Sequence, residues 1–268
     1  ELYSLMTPID LKDELGLCFD CKGIRVVCDH PGVPGDETNL AHRAAALFMD
    51  QCQRGLGKAP LAGVEIRIRK NIPLGGGLGG GSSNAASVLM ALNERCGNLF
   101  DTATLMEMGV ALGADVPFFL LRGPAFARGR GEKLARVDNL PGRYILLCDP
   151  GVAASTARVF KNLDLGLTSN EKYDINPGSN VLIRGDDADL GLVLHNDLEE
   201  TACRLYPEIW KTKKEMEMHL GQRVCMSGSG ASLFALFSDP EHAQQGHETL
   251  SGKWCSGRRK VMVSSFQV

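Results

Sequence analysis

The stretch from Ile72 to Ser87, IPLGGGLGGGSSNAAS, sets Gly75, Gly76, Gly77, Gly79, Gly80 and Gly81 ahead of Ser82 and Ser83. A segment so poor in Cβ atoms can bring its backbone N–H groups close to a polyphosphate. Three cradles compete for it. Counted from Gly75 it satisfies the dinucleotide pattern G-x-G-x-x-G, which also needs a second strand ending in an acid about 20 residues on. Glu94 lies near that distance but on the helix itself, so this reading fails. Counted from Gly76 it approaches the P-loop pattern, with Ser82 where that motif needs a lysine for the β- and γ-phosphates. What survives is the general device, a glycine loop entering a helix whose first turn offers unpaired N–H groups and the positive end of its dipole. Ser82 and Ser83 add hydroxyls there, which either cap the helix or contact phosphate and its magnesium. A plain turn with a serine cap does not need seven Gly or Ser residues among positions 76–83.

Working outward, GVEIRIRKNIP alternates Val64, Ile66 and Ile68 with charged residues, the pattern of a half-exposed strand. After the loop, Ala85, Val88, Leu89 and Leu92 recur at helical spacing and Gly97 is a natural stop. Residues 2–28 read as two or three short strands punctuated by Pro8 and Gly23. A Pro-, Gly- and Asp-containing loop follows, and Thr38 or Asn39 caps a helix with Leu40, Ala44, Leu47 and Phe48 on its apolar face. A second helix is predicted over 102–112, a hairpin over 124–137 turning at GRGE, and a buried strand from Tyr144. A polar linker over 163–181 leads to helices near 186–220, a glycine-broken strand in VCMSGSGASLFALF, one more helix and the closing strand KVMVSSF. The pattern predicts an α+β chain of two lobes, 1–142 with the glycine loop and 143–268.

The formal net charge of −3 gives no bulk attraction for nucleic acid or an anionic membrane, so any bound anion must be held locally. No run approaches the roughly 18 apolar residues of a membrane span, and the mixed first residues do not read as a secretory signal. Nine scattered cysteines read as the reduced thiols of a cytoplasmic protein. Cys18 and Cys21 form a lone C-x-x-C without the second ligand pair a structural zinc site needs, so they read as plain strand cysteines.

PLGGGLGGGSSNAA resembles the phosphate loop of the GHMP kinases. The resemblance runs in order along nearly the whole chain. ELYSLMTPIDLKDEL is similar to an early strand of that family, and ETNLAHRAA to its adenine-side helix. GADVPFFLLRGPAFARGRGE resembles its catalytic segment, PGVAASTARVF the opening of its second lobe, and HNDLEE and MSGSGASLFALF its C-terminal pattern. The resemblance implies a two-lobed α+β fold, with a ribosomal-protein-like N-terminal lobe and a ferredoxin-like C-terminal lobe. It implies ATP and Mg2+ as cofactors in phosphoryl transfer to a small alcohol. The branch resembled most acts, in isoprenoid precursor synthesis, on a small-molecule substrate with a cytidine diphosphate group. Branches acting on homoserine, mevalonate or sugars, and a non-catalytic nucleotide-binding protein, are the alternatives. No nucleic-acid or membrane partner is expected, and the protein is expected as a monomer or weak homodimer.

The same resemblance assigns residues. Pro73, Gly75, Gly76, Gly77, Leu78, Gly79, Gly80, Gly81, Ser82 and Ser83 would hold the nucleotide phosphates. Asp115, by itself a turn or cap aspartate, matches the aspartate beside the accepting hydroxyl, where a carboxylate either takes that hydroxyl's proton as a base or acts as an orienting and electrostatic group. Asn39 and Lys70 fall on the adenosine side, although Lys70 alone reads equally well as a solvated charge. Asn84 reaches the nucleotide or caps the helix. Phe160, otherwise a core residue, matches a ring stacked on cytosine, with Thr156 nearby. Met6 offers a softer apolar contact at a position matched to an aromatic. Gly228, Ser229 and Gly230 form a second glycine turn, matched to the motif that closes on the phosphate loop and substrate. No metal ligand is assigned. The family's lysine strand and a Tyr-His pair would precede Glu1, so the first strand is expected to be absent. Lys12 and Lys22 read as solvated strand charges, not replacements for that lysine.

Overall fold

Three short strands open the chain: β1 (Leu2–Met6), β2 (Glu14–Cys18) and β3 (Gly23–Cys28). The computed structural model describes residues 2–57, 60–163, 194–254 and 258–268. The chain divides into two compact units, Glu1–Ile72 with Gly79–Asp138, and Pro73–Leu78 with Asn139–Val268. The front of the glycine loop, assigned to the first lobe by the sequence, thus groups with the second unit.

In the first unit, α1 (Leu40–Leu56) is capped by Asn39, not Thr38, with the side chain accepting from Ala41 N–H. Strand β4 (Gly63–Arg69) lies between β2, antiparallel, and β3, parallel. Its alternation is as predicted: Val64, Ile66 and Ile68 are buried and Arg67 and Arg69 exposed. Each such buried side chain contributes about 1.5–3 kcal/mol of hydrophobic stabilisation. They share a core with Ala44 and Phe48 of α1 and with Ala85, Val88, Leu89 and Leu92 of α2 (Gly80–Arg95). The predicted second helix is α3 (Thr102–Leu112), capped by Asp101. A short helix not foreseen as one, α4 (Val116–Leu121), follows directly. Its VPFFLL sequence is too short and too uniformly apolar to display a helical period, and Pro117 marks only its start. The hairpin of β5 (Ala125–Gly129) and β6 (Lys133–Arg136) completes a three-stranded sheet with β1.

In the second unit, β7 (Tyr144–Asp149) buries four successive residues, Ile145 to Cys148, as a two-faced core strand does. After α5 (Thr156–Lys161) the predicted linker, and the first part of the helices expected near 186–220, lie outside the described residues. The described remainder is α6 (Glu199–Leu205) and α7 (Pro207–Leu220). The expected glycine-broken strand is instead two antiparallel strands, β8 (Cys225–Met226) and β9 (Leu233–Phe237), because the glycines reverse the chain. Helix α8 (Pro240–Lys253) and β10 (Lys260–Ser265) close the unit. The sheet order β10-β7-β9-β8, antiparallel throughout, is the fourth-first-third-second arrangement of a ferredoxin-like sheet. Its core includes Leu146, Ile209, Met216, Leu233 and Leu250. The described cysteines are all free, and burial pushes the Cys148 thiol up to about 12. Among the described residues no helix is long and apolar enough to cross a membrane.

Candidate active site

In the second unit, the front of the glycine loop is held by its carbonyls. Gly75 C=O accepts from Ala154 N–H at 3.3 Å and from Ala231 N–H at 3.1 Å. Gly76 C=O accepts from Ser232 N–H at 3.1 Å, and Gly77 C=O from the Ser227 hydroxyl at 3.0 Å. Gly77 has φ 68°, and a Cβ there would collide with the Ser227 carbonyl. Only glycine fits both the left-handed backbone and this approach. The loop glycines therefore serve contact with the second glycine turn as well as ligand access.

The N–H groups behave in the opposite way. From Leu74 to Ser82 none donates to an acceptor among the described residues. In the second unit the loop's carbonyls are engaged while its N–H groups are not, and in the first unit the opening turn of α2 presents N–H donors suited to an anion. Gly79, at φ 66°, is the N-cap of α2, and no side chain caps the helix. The capping alternative for Ser82, Ser83 and Asn84 is therefore overturned. The hydroxyls of Ser82 and Ser83 have no partner among the described residues. Pro73 and Leu78 are partly buried within the loop.

In the first unit, the base of the loop is organised by Asp13, which the sequence reading passed over. Its Oδ2 accepts from Lys70 Nζ at 2.5 Å and from Asn84 Nδ2 at 3.0 Å. Its Oδ1 accepts from the N–H groups of Asn71 and Ile72, both at 2.9 Å. The Asp13 and Lys70 side chains are 1% and 5% exposed. Burial would raise the Asp13 pKa, but the Lys70 hydrogen bond, the Ile72 and Asn71 N–H groups and the Lys70 charge together hold it below the ordinary value. Lys70 is therefore not a solvated charge, and Asn84 faces Asp13, not a helix end. Lys12 and Lys22 are exposed, as expected. The Asn39 side chain is also engaged, donating to Pro34 C=O at 2.7 Å while it caps α1.

Asp115 is the N-cap residue of α4 and makes no side-chain capping bond or other side-chain hydrogen bond among the described residues. Gly131, in the turn of the β5–β6 hairpin, lies beside it: a Cβ there would be 3.5 Å from Asp115 Oδ1. Solvent reaches the carboxylate, yet the protein around it raises its pKa by desolvation. Met6 ends β1, partly buried and paired with Ala125.

In the second unit, the Thr156 and Ser229 hydroxyls are 2.8 Å apart. Phe160, one helical turn beyond Thr156, is 47% exposed, so the core reading of this ring is overturned. The turn at Gly228 (φ 52°) and Gly230 (φ 84°) is braced from HNDLEE. Asn196 Nδ2 donates to Met226 C=O and Gly228 C=O, each at 2.8 Å, and Glu199 accepts from Met226 N–H at 3.1 Å while paired with Lys213. Asn196 and Glu199 had no local signal beyond their presence in a matching motif.

These features define a class. Residues 39–123 match the GHMP kinases N terminal domain and residues 181–255 match GHMP kinases C terminal. The chain belongs to the GHMP kinase family and is an ATP-dependent small-molecule kinase. Within that family it is similar to the 4-diphosphocytidyl-2-C-methyl-D-erythritol kinase of Geobacter sp. (strain M21). The two are 40% identical over 245 residues, covering 91% of this chain and 83% of the relative. A crystal structure of 4-(cytidine 5'-diphospho)-2C-methyl-D-erythritol kinase superposes with TM-score 0.77 at 34% identity, covering 98% of this chain and 89% of that one. A homoserine kinase from Cytophaga hutchinsonii reaches TM-score 0.76 at 24% identity, over 98% and 89% of the two chains, a likeness that concerns the fold alone.

Proposed function

We propose that this kinase transfers the γ-phosphoryl group of ATP to the 2-hydroxyl of 4-diphosphocytidyl-2-C-methyl-D-erythritol. The observation that carries the reading lies in the first unit, where the opening turn of α2 has unengaged N–H donors and an aspartate, Asp115, keeps its acceptor capacity. The first suits the phosphates and the second suits the alcohol. Identity of 40% along most of the chain to a kinase named for this substrate favours it over homoserine or mevalonate.

In this reading, the donors of Gly75, Gly76, Gly77, Leu78, Gly79, Gly80, Gly81 and Ser82, behind Pro73, hold phosphate oxygens. The hydroxyls of Ser82 and Ser83 add to them, Asn39 flanks the adenosine, and Lys70, buried against Asp13, supports the loop from behind. Among the described residues no group of three His, Cys, Asp or Glu side chains could hold a metal ion. Mg2+ would be bound mainly through ATP oxygens, with the serine hydroxyls as the chain's own oxygen donors, and would neutralise charge on the phosphates. Asp115 orients the alcohol O–H and receives its proton as the oxygen–phosphorus bond forms and ADP departs. A raised pKa makes that carboxylate a stronger base than an ordinary aspartate. In the second unit, the exposed Phe160 ring offers a stacking face to cytosine, while Thr156, Ser229 and the turn at Gly228 and Gly230 offer polar contacts. Met6 supplies an apolar contact.

The test is product identity. Incubated with ATP, Mg2+ and the cytidine diphosphate alcohol, the protein should form ADP and a new phosphomonoester visible by phosphorus NMR. Its kcat/KM should exceed that for homoserine or mevalonate by at least about 100-fold, the discrimination available from several lost polar contacts. Turnover of another alcohol in its place would reassign the branch.

A further inference from the structure

The three N–H groups that leave β4 are each received by a carboxylate, that of Lys70 by Asp29 and those of Asn71 and Ile72 by Asp13, all at 2.9 Å. Pro73 has no N–H, and the unengaged donors begin at the next residue. The anchoring carboxylates thus end where the anion cradle starts. A buried carboxylate so close to a polyphosphate would repel it unless its charge were matched. Lys70 Nζ matches Asp13 at 2.5 Å with both side chains out of water. Lys70 Nζ also lies against the opening of α2, 3.2 Å from where a Cβ on Gly80 would stand. Asn84, farther along α2, shares Asp13 Oδ2 with it. One buried pair therefore joins the end of β4 to the first turns of α2, although 57 residues separate its members in sequence.

We infer that Asp13 and Lys70 are a positioning pair for nucleotide binding. Asp13 fixes the backbone of residues 71–72 and the start of α2, so that the donors of residues 79–82 stand in place before ATP arrives. Lys70 cancels the Asp13 charge beneath the incoming phosphates. Both act through the loop and helix, not by touching the reacting atoms. The inference rests on the kinase reading above.

Calorimetric titration of the full chain with Mg·ADP, and separately with the cytidine diphosphate alcohol, tests it on the wild type, Asp13→Asn, Lys70→Met, the double variant and Asn84→Ala. Asp13→Asn is expected to weaken ADP about 10-fold. Lys70→Met should weaken it about 100-fold, because it leaves an unmatched anion under the phosphates. The double variant should return toward the Asp13→Asn value, well short of the product of the two losses. Affinity for the alcohol should stay within about 2-fold, which general loosening of the fold would not spare. Asn84→Ala removes one neutral donor and should cost about 3-fold in ADP affinity. It carries the test alone if circular dichroism finds the charge variants unfolded. Folded variants that bind ADP like the wild type, losses that multiply in the double variant, or equal losses for ADP and alcohol would each overturn the positioning role. A wild type that binds the alcohol but no adenine nucleotide would instead bring down the kinase reading, and the pair's role with it.

Discussion

Asp13 and Asp115 belong to the same unit and carry the same functional group, yet the fold treats them oppositely. Asp13 is enclosed, with its two oxygens receiving donors from Lys70, Asn84, Asn71 and Ile72, and its carboxyl is held below the ordinary range. Asp115 has no side-chain partner among the described residues, and desolvation pushes its carboxyl up. An acceptor saturated by N–H donors and a cation has no capacity left for a substrate proton. An acceptor left unsatisfied beside solvent keeps that capacity, and its raised pKa strengthens it as a base. The same side chain builds the site in one setting and is available for chemistry in the other.

The largest effect should come from Asp115→Asn. It is expected to lower kcat about 10²–10⁴-fold, the usual contribution of a positioned acid–base group, with nucleotide affinity nearly unchanged. Full turnover in steady-state assays would remove Asp115 from the mechanism and dissolve the contrast. Next is Asp13→Ala, which strands the buried Lys70 ammonium. Urea unfolding should report a loss of about 3–5 kcal/mol, as for a buried pair broken on one side. A loss under about 1 kcal/mol would mean that the pair behaves like a solvated one.

The smallest effect is one of sign, and it sharpens the comparison most. The lowered Asp13 pKa gives stability present above the ordinary aspartate value and lost as pH falls through the lowered native one. The raised Asp115 pKa does the reverse, since its ionised form disfavours the fold once pH rises through the raised value. Asp115→Asn should therefore melt slightly above the wild type at pH 7, and the gain should vanish below the ordinary aspartate pKa. A variant less stable than the wild type at pH 7 would contradict the desolvated environment.

Much of this was legible along the chain because it is local. The alternation of Val64, Ile66 and Ile68 gave β4, and the spacing of Ala85, Val88, Leu89 and Leu92 gave α2. The cap at Asn39 and the β5–β6 hairpin follow from turn and capping chemistry acting over a few residues. Helix α4 escaped because six apolar residues display no period, and the β8–β9 reversal because glycines break a strand and turn it with the same letters. For Phe160 the pattern alone could not choose, since an aromatic at helical spacing looks the same facing core or solvent, and only the family resemblance favoured an available ring.

The sequence by itself determined the order strand, glycine loop, helix, and with it the family of cradle that a missing P-loop lysine leaves open. Backbone conformation and hydrophobic period are properties of neighbouring residues, so they can be read from neighbours. Only the tertiary structure decided which way the loop's carbonyls turn, and that Lys70 and Asn84 face Asp13 and not solvent or a helix end. Those outcomes depend on partners 57 and 71 residues apart, brought together by burial, and no local pattern encodes such a meeting.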